Sequence, residues 1–499
     1  MHHRGQIAAD PLPDWLIAMQ TELAAEVITT HISWLLLTSE YVFKLKQPVR
    51  FPFLDYSTRA QRWECCRAEV QLNRRYAPEL YLGVVALGTE REPAVVMRRF
   101  PESQRLDHVC DRGELTVAHM TELAEEITAH FRRAATPDSG ARYGSPEHVI
   151  GQARETMREL LQVVTSTVPA HPDACAPEFA SQSELGALMA EVGTLRVDFS
   201  ELAQQVNAQL SIRRLQGCVR EGHGDLHLSN LVLVDGHVTA FDCIEFNPEY
   251  RWLDVASEVA FPYIDLLDHR QPALAGWLLS SWLESSGDYA ALSVFRFYSV
   301  YRTVVRALVA ALQGKVTQVA REVATARSLV SPRQPTLSIT HGWSGSGKTT
   351  AAAALVRADP HGGTVRVRAD VERKRLHGLS ALTNSASGVN AGIYSDDAHR
   401  RTYDVLFDAA VTSVRNGWSI VVDAAFLRAS DRARFAELAA TTGCRFAIVD
   451  CAAPLSVLQD RIRQRSGDAS EATLDVLAAQ VAADEPRSAA ELTSVTTSG

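Results

Sequence analysis

The sequence predicts two domains of different class: an α+β domain over residues 1–330 and an α/β domain with a doubly wound parallel sheet over residues 337–499. Three observations point that way. At 499 residues the chain exceeds what one ordinary hydrophobic core organises. A proline-marked stretch, Ser331-Pro-Arg-Gln-Pro335, separates two regions of different pattern, so residues 331–336 read as a linker. Ahead of it, short strand-like runs give way to long stretches of helical period. Behind it, strand-like and helix-like runs alternate, as a parallel sheet with crossover helices requires.

Composition narrows the functional classes. With 46% apolar residues and no apolar run of membrane-spanning length, the chain is expected to be globular and off the membrane. The opening MHHRGQIAAD has no signal-peptide apolar core, which makes the cytoplasm the expected compartment. Eight cysteines without a C-x-x-C pair or zinc-like spacing are expected to be reduced thiols. The net charge of −9 disfavours a general nucleic-acid surface. From Leu337 onward 18 basic and 18 acidic residues balance, so the −9 belongs to the first 336 residues and weakly favours a cationic or neutral ligand there. Only five of the 50 basic residues are lysines, Lys44, Lys46, Lys315, Lys348 and Lys374, and four of these fall in stretches with candidate phosphate or substrate roles.

Residues 11–29 carry an amphipathic helical pattern. Ile32–Leu37 and Tyr41–Lys46 read as strands, with Val42, Lys44 and Lys46 on one face of the second. A helix is expected over Ser57–Tyr76, then strands Tyr81–Leu87 and Ala94–Arg99 and an irregular Phe100-Pro101. In a kinase-type lobe, a strand lysine held by a helix glutamate reaches the α- and β-phosphates of a nucleotide. Lys44 with Glu69 is the first choice here, with Lys46 and Glu64 as alternatives. A solvated strand face would leave the same pattern. No G-x-G-x-x-G precedes the lysine strand, so phosphate cover must come from another turn. Leu115–Ala134, Pro146–Val168 and Ser183–Leu215 read as helices, with a loop at Pro169–Pro177.

The stretch Glu221–Phe246, EGHGDLHLSNLVLVDGHVTAFDCIEF, carries the first chemical signature. His223, Asp225 and Asn230 form H-G-D-x-x-x-x-N; Leu231–Val234 and His237–Phe241 then make a hairpin turned by Asp235-Gly236 and ending on Asp242. Phosphoryl transfer needs a carboxylate to orient the acceptor hydroxyl, here Asp225, and an amide and second carboxylate to hold Mg2+, here Asn230 and Asp242. A polar turn between two buried strands is the plain alternative. The spacing from Asp225 to Asn230 equals that of the protein-kinase catalytic loop, but Gly224 stands in place of its arginine and Cys243-Ile244 in place of Phe-Gly. The loop resembles that of the aminoglycoside phosphotransferase-like kinases; the resemblance spans residues 20–330 and is specific within Glu221–Asp254. It implies a protein-kinase-like bilobal fold, ATP as donor, a small-molecule acceptor, and Asp254 as a brace for the loop. Asp254 reads equally as a helix cap, and Glu245 either as part of the metal shell or as a strand-end charge. Helices are expected from about Leu253, over Gln271–Glu284 and over Asp288–Leu329.

Beyond the linker, strand Leu337–Thr340 runs into Gly342-Trp343-Ser344-Gly345-Ser346-Gly347-Lys348-Thr349 and then helix Thr350–Val356. This is G-x-x-x-x-G-K-[ST], the P-loop motif, in the strand–loop–helix setting it needs. Backbone N–H groups of the loop and of the helix start at Thr350 would cradle phosphate, Lys348 would reach the β- and γ-phosphates, and Thr349 would bind Mg2+. Strand Val365–Arg368 leads to Asp370, the second catalytic candidate; with Arg373 and Arg375 it suits an acceptor hydroxyl and its phosphate. Strand Ser419–Val422 ends at Asp423, the expected metal-linked carboxylate, and Phe446–Asp450 is the last clear strand. Arg461, Arg463 and Arg465 lead into a Ser-Gly-Asp-Ala-Ser stretch that reads as a lid, with Arg461 and Arg465 closing on nucleotide; a solvated basic helix is the alternative. This half resembles the small P-loop kinases related to gluconate kinase, polynucleotide kinase and chloramphenicol phosphotransferase.

Two unrelated ATP sites in this order resemble bacterial fusions of an aminoglycoside phosphotransferase-like kinase with a P-loop kinase. The expected function is a small-molecule kinase using ATP and Mg2+ at two centres, with a hydroxyl-bearing small molecule as partner. The alternative is a regulatory ATPase whose P-loop domain senses nucleotide and gates the other domain or a partner. A polynucleotide kinase is disfavoured by the charge. The sequence names neither acceptor and sets no oligomeric state.

Overall fold

The computed structural model describes residues 12–30, 32–51, 54–138, 140–166, 182–331, 333–383, 385, 392–464, 469–488, 491 and 495–497. They form two compact units, Met1–His269 with Phe297–Leu329, and Arg270–Arg296 with Val330–Gly499.

In the first unit, helix α1 (Asp14–Glu22) stops short of the expected 29: Ala24 takes φ 47, and the chain turns into β1 (Glu26–Thr29). Then come β2 (Ser33–Leu37), β3 (Tyr41–Lys46), a short pair β4 (Arg50–Phe51) and β5 (Leu54–Asp55), and α2 (Arg59–Asn73), which starts on a capping box between Thr58 and Gln61. With β6 (Tyr81–Leu87) and β7 (Glu92–Arg98) the strands make an antiparallel sheet of order β1-β2-β3-β7-β6. Alternation along β3 divides its faces. Val42 packs with the cluster of Cys66, Val70, Tyr81, Val95 and Met97 on the α2 side, while Phe43 and Leu45 pack with Leu16, Met19 and Trp34 on the α1 side. The lysines therefore share the α2 face with Val42.

The remainder of this unit is mainly helical: α3 (Leu106–Asp111), α4 (Val117–Arg133), α5 (Pro146–Ser166) and α6 (Gln182–Leu215). The loop expected at Pro169–Pro177 lies outside the described residues. Strand β8 (Val219–Glu221) leads to hairpin β9 (Leu231–Val234) and β10 (His237–Ala240), whose turn places Asp235 and Gly236 at φ 51 and 84. β11 (Trp252–Asp254) pairs with β8 and opens α7 (Val255–Asp268). An antiparallel sheet with its helix after the third strand, followed by a helical region that carries the catalytic-type loop, is the protein-kinase-like arrangement.

Helix α8 (Pro272–Ser286) falls in the second unit, so the compact units do not divide at the proline-marked linker. The single helix expected over Asp288–Leu329 is two, α9 (Leu292–Leu312) and α10 (Val316–Val330), broken at Gly314 with φ 70. The second unit continues through β12 (Thr336–His341), α11 (Lys348–Ala358), β13 (Thr364–Arg368), α12 (Ala369–Leu376), α13 (Asp396–Arg415), β14 (Ser419–Asp423), α14 (Ala429–Thr442), β15 (Arg445–Asp450), α15 (Leu455–Gln464), α16 (Leu474–Ala483) and β16 (Val495–Thr497). All pairings in its sheet are parallel, in the order β13-β14-β12-β15-β16. The last strand falls beyond Asp450, where the sequence reading stopped; three residues in a Ser/Thr-rich stretch carry no readable period. Helix α8 belongs here because Ser280 Oγ accepts from Arg366 N at 2.8 Å and Glu284 pairs with Arg366 and Arg368 at 3.0 and 3.2 Å. No described helix is long and apolar enough to cross a membrane, and the described cysteines are free thiols.

Candidate functional site

In the first unit the β3 lysines meet α2 as their shared face requires. Lys44 Nζ lies 2.8 Å from Glu69 Oε1 and 2.5 Å from Asp242 Oδ1, joining strand, helix and hairpin end. Lys46, the alternative, is a second partner of the same Glu69, through its other oxygen, and also pairs with Glu245. Glu64 is exposed. Burial opposes the charge on both lysines, but Asp242, Glu245 and Glu69 outweigh it and hold both well above the usual lysine range. Glu245 also accepts from Tyr56 Oη at 2.6 Å and is almost fully buried, so it supports Lys46.

The H-G-D loop leaves β8 at Gly222. Gly224 has φ 86, and a Cβ there would stand 2.7 Å from the Tyr250 carbonyl oxygen, so only glycine fits. His223 is fully buried with Nε2 2.8 Å from the Phe241 carbonyl, and burial lowers its pKa to about 4, leaving a neutral ring that ties loop to hairpin. The brace is Glu258 on α7: its carboxylate accepts from His223 N at 2.5 Å and Gly224 N at 3.0 Å. Asp265, two turns further along the same face of α7, accepts from Leu228 N at 2.8 Å. Asp254, expected as a possible brace, instead caps α7 through Ala256 N and grips Arg213 in a two-pronged pair at 2.7 and 2.8 Å.

The loop brings Asp225 and Asn230 together, Asn230 Nδ2 donating to the Asp225 carbonyl at 2.9 Å and its carboxylate at 3.2 Å. Burial pushes the Asp225 carboxyl up, but His227 and His223 outweigh it and hold it well below the usual range. Asn230 Oδ1 is buried and has no hydrogen-bond partner. An orphaned amide oxygen beside the Asp225 carboxylate fits a hard cation, and Mg2+ characteristically takes one or two protein carboxylates with substrate phosphates completing its shell. Asp242 sits at φ 65 with its N–H donating to Tyr81 Oη at 3.0 Å, and the next amide, Cys243 N–H, donates to Asn73 Oδ1 at 2.8 Å. Asn73, Tyr81 and Glu258 carry this geometry and were missed in the sequence, where each reads as an ordinary helix or strand residue.

In the second unit, Gly342 must be glycine: its φ is 141, and a Cβ would stand 2.2 Å from the Cys451 carbonyl oxygen. Gly347 at φ 95 caps α11, so the loop's amides turn toward the helix start. Lys348 Nζ donates to the Trp343 carbonyl at 2.8 Å, and Arg461 Nη1 donates to the Gly345 carbonyl at 3.0 Å. Helix α16 holds the loop from outside, with Gln480 Oε1 accepting from Ser344 N at 2.7 Å; Asp484, just past its end, accepts from Trp343 Nε1 at 3.0 Å. Ser346 Oγ is buried without a partner.

Gly345, Ser346, Gly347, Lys348, Thr349, Thr350, Asp370, Asp423 and Arg461 line one cavity of about 1460 Å³. Burial raises the Asp423 carboxyl pKa against Arg368, Arg366, Lys348 and a hydrogen bond from Thr349. The hydroxyl of Thr349 and the carboxylate of Asp423 thus meet on this cavity, a donor set that fits a P-loop Mg2+. Asp370 pairs with Arg373 Nη1 at 2.6 Å; burial favours its neutral form, but Arg373, Ser470, Arg368 and Lys348 hold its pKa below the usual range. Arg375 does not join them: it pairs with Glu372 and donates to the Glu284 carbonyl, on the far side of α12. Arg463 pairs with Asp460 on an exposed face of α15. Arg465 and residues 466–468 of the expected lid lie outside the described residues.

Comparison with known proteins follows the same division. A family model described as an AAA domain matches residues 337–486. Over 471 residues, 92% of this chain, the sequence is 30% identical to the uncharacterized protein Rv2004c of Mycobacterium tuberculosis, covering 89% of that protein, and it matches a Mycobacterium bovis protein to the same degree. Among solved structures, the choline kinase from Cryptosporidium parvum Iowa II aligns at 12% identity over 63% of this chain and 95% of its own, with a TM-score of 0.39. The GDP complex of aminoglycoside 2'-phosphotransferase-IIIa aligns at 12% identity over 64% and 99%, with a TM-score of 0.36. The Mycobacterium tuberculosis APS kinase CysC in complex with AMPPNP and APS aligns at 23% identity over 27% and 71%, with a TM-score of 0.21.

Proposed function

The chain belongs to the same family as the Mycobacterium tuberculosis protein Rv2004c, and from its two sites we propose that it is a phosphotransferase that passes the γ-phosphoryl group of ATP to hydroxyl-bearing small molecules, with Mg2+, at two centres. The observation that carries this reading is the convergence in each unit of a lysine, metal-suited oxygens and a separate carboxylate. In the first unit these are Lys44 on Glu69, Asn230 with Asp242, and Asp225. In the second they are Lys348, Thr349 with Asp423, and Asp370, all on one cavity.

Bound Mg2+ would neutralise phosphate charge at each centre. The chain's own part is positioning. Asp225 and Asp370 both have lowered pKa values, which makes them weak bases. That suits phosphoryl transfer, where the acceptor hydroxyl keeps its proton until late and the carboxylate mainly aims the oxygen in line. Glu258 and His223 fix the loop that carries Asp225, and Glu69 keeps Lys44 extended along β3 toward the phosphates.

The gating reading has one observation in its favour: α16 grips the P-loop through Gln480 and Asp484, so nucleotide entry could be felt at that helix. A sensor has no use for Asp370 beside the P-loop lysine, and this weighs toward transfer chemistry. The deciding experiment is ADP release by the full-length chain across hydroxylated metabolites and antibiotics, repeated with Lys348→Ala and Asp225→Asn. Acceptor-stimulated release that each variant removes in part supports two transfer centres. Release that no acceptor changes favours the regulatory ATPase.

A further inference from the structure

The wall of the P-loop unit's cavity beyond Asp370 is built with unusual effort around one arginine. Phe426 sits at φ 50, a left-handed conformation a bulky residue adopts only when its surroundings impose it. Its N–H donates to Tyr403 Oη at 3.2 Å, and Arg432, fully buried, donates from Nη1 to the carbonyls of Phe426 and Leu427 at 3.0 Å each. Two residues on, Arg428 lines the cavity together with Arg373, Tyr394, His399 and Tyr403. Tyr403 lies within electrostatic reach of both arginines. Arg373 also lies over the Tyr394 ring at 5.1 Å.

The charges on this wall are unevenly committed. Asp370 is engaged by Arg373, and Asp423 lies 3.7 Å from Arg368. Arg428 pairs with Asp396 at 2.7 Å, whose side chain is 85% exposed, and a pair of that kind is readily traded for a better anion. The P-loop, Lys348 and Arg461 already answer the charge of a nucleotide. Arg428 is a second cation with nothing in the nucleotide-holding set that requires it. Burial pushes the Tyr394 hydroxyl up to about 12, so it stays a proton donor beside the guanidiniums. A planar guanidinium fork with hydroxyl donors alongside is matched to an oxyanion.

We propose that the acceptor of the P-loop unit carries an oxyanion group as well as its hydroxyl, and that Arg428, with Arg373 and Tyr394 on the same cavity, holds that group while Asp370 orients the hydroxyl. This rests on the transfer reading of Asp370. The step is otherwise unchanged: the bond from the γ-phosphorus to the β,γ-bridging oxygen breaks, a bond from that phosphorus to the acceptor oxygen forms, the hydroxyl proton passes to Asp370 and then to water, and ADP leaves. Phosphate, sulfate and carboxylate share the chemistry required.

The test uses full-length protein carrying Asp225→Asn, so that ADP release reports the P-loop unit. Neutral and anionic partners are compared in pairs: glycerol with glycerol 3-phosphate, and glucose with gluconate, glucose 6-phosphate and glucose 6-sulfate. The anionic members should be preferred, the best of them naming the oxyanion, and Arg428→Gln should raise their KM by about 10- to 100-fold, as loss of a charge-assisted hydrogen bond predicts. Arg428→Lys should recover part of this, and Asp396→Asn, which releases Arg428 from its exposed partner, should lower the KM. A binding arm follows the melting temperature of the same protein saturated with AMPPNP and Mg2+, on adding inorganic sulfate or acetate at constant ionic strength. An Arg428-dependent rise without any acceptor-stimulated release would keep the anion site and sink the kinase reading. Neutral acceptors working as well as anionic ones, or a KM indifferent to Arg428→Gln, would keep the kinase reading and overturn the anion site. A sulfate effect that persists in Arg428→Gln would mark an adventitious ion only and also overturn it.

Discussion

In the first unit Lys44 already holds both Glu69 and Asp242, and Lys46 holds Glu69 and Glu245, so the charged groups satisfy one another in a closed, buried set. In the second, Lys348, Thr349, Asp370 and Asp423 look onto a cavity of about 1460 Å³, with Lys348 resting on its own loop's Trp343 carbonyl. The difference has a physical origin. A P-loop is a local device in which six or so consecutive residues make a phosphate cradle from their own amides. The first site draws on a strand, a helix and a loop nearly two hundred residues further on, and those parts keep their register through mutual ion pairs. Nucleotide entering the first unit has to trade against the contact of Lys44 with Asp242, whereas the second is shaped before anything arrives.

The largest effects should separate binding from chemistry within each site. Lys348→Ala should abolish ATP-dependent turnover in the P-loop unit, while Asp370→Ala should keep ATP affinity and lose transfer by about 10²–10⁴-fold, the range expected when a positioned carboxylate is removed. Asp225→Asn should cost the first unit a similar factor. Because Asp225 touches Asn230 and not Lys44, its ATP affinity should hold. Lys44→Met, by contrast, should lose affinity and rate together. Isothermal titration with AMPPNP beside steady-state kinetics reads all four, and a Lys44→Met protein with normal affinity would break the comparison.

Stability comes next. Removing Lys46 leaves Glu69 and Glu245 facing one another in a buried site, and breaking a buried pair from one side typically costs about 3–5 kcal/mol. Lys46→Met should therefore lower the unfolding transition of the first unit sharply and leave that of the second in place, as followed by denaturant titration of the full chain. A loss under about 1 kcal/mol would mean that water reaches the network, as it does for exposed pairs.

How much of this was legible in the sequence follows the same contrast. The P-loop and the placement of Asp423 beside it were readable because their residues are adjacent or end a clear strand. Lys44 with Glu69 was readable from strand alternation. Glu258 was not: it sits in a long apolar helix, and its role depends on two backbone amides of a loop more than thirty residues earlier, which no periodicity reports. Asn73 and Tyr81, which receive the amides of Cys243 and Asp242, are invisible for the same reason. Helix α8 reads as part of the first domain because the linker signal is local, whereas its partner β13 is distant in sequence. Glu245 and Asp254 were ambiguous at a strand end and a helix start, and the packing around Lys46 and Arg213 decided both.

The brace also gives the first unit a pH dependence near neutrality. Burial raises the Glu258 carboxyl pKa to about 7 despite the amides of His223 and Gly224. Since the folded value lies above the unfolded one, the native state holds an extra proton between the ordinary carboxyl range and pH 7. This group's contribution to stability is full at low pH and fades as pH rises through about 7. The loop is best held when the carboxylate is ionised and accepts both amides, so activity of the first unit should climb across the same interval while its melting temperature falls. Glu322, raised to about 8 by burial, shifts stability in the same direction, so the comparison must be with Glu258→Gln, which should flatten the activity limb. His223, neutral down to about pH 4, cannot supply it.

The smallest expected effect tests whether α15 acts on nucleotide or is a solvated basic helix. Arg461 and Arg463 lie two residues apart and differ in surroundings: Arg461 donates to the Gly345 carbonyl at 3.0 Å and lines the cavity, while Arg463 pairs with Asp460 across one helical turn at 2.9 Å with both side chains more than half exposed. An exposed pair of that kind contributes little, so Arg463→Ala should leave the ATP KM and the melting temperature within error, a change within about 0.5 kcal/mol. Arg461→Ala removes a charged donor from the loop that faces phosphate and should raise the ATP KM of the P-loop unit by about 10-fold, near the lower bound for a hydrogen bond to a charged group. Both arginines are exposed, so the contrast rests on the Gly345 contact and not on shielding. Two equal, small effects would describe a basic helix that merely raises local positive charge. An effect confined to Arg461 would place α15 in the nucleotide site and leave the first unit's kinetics untouched.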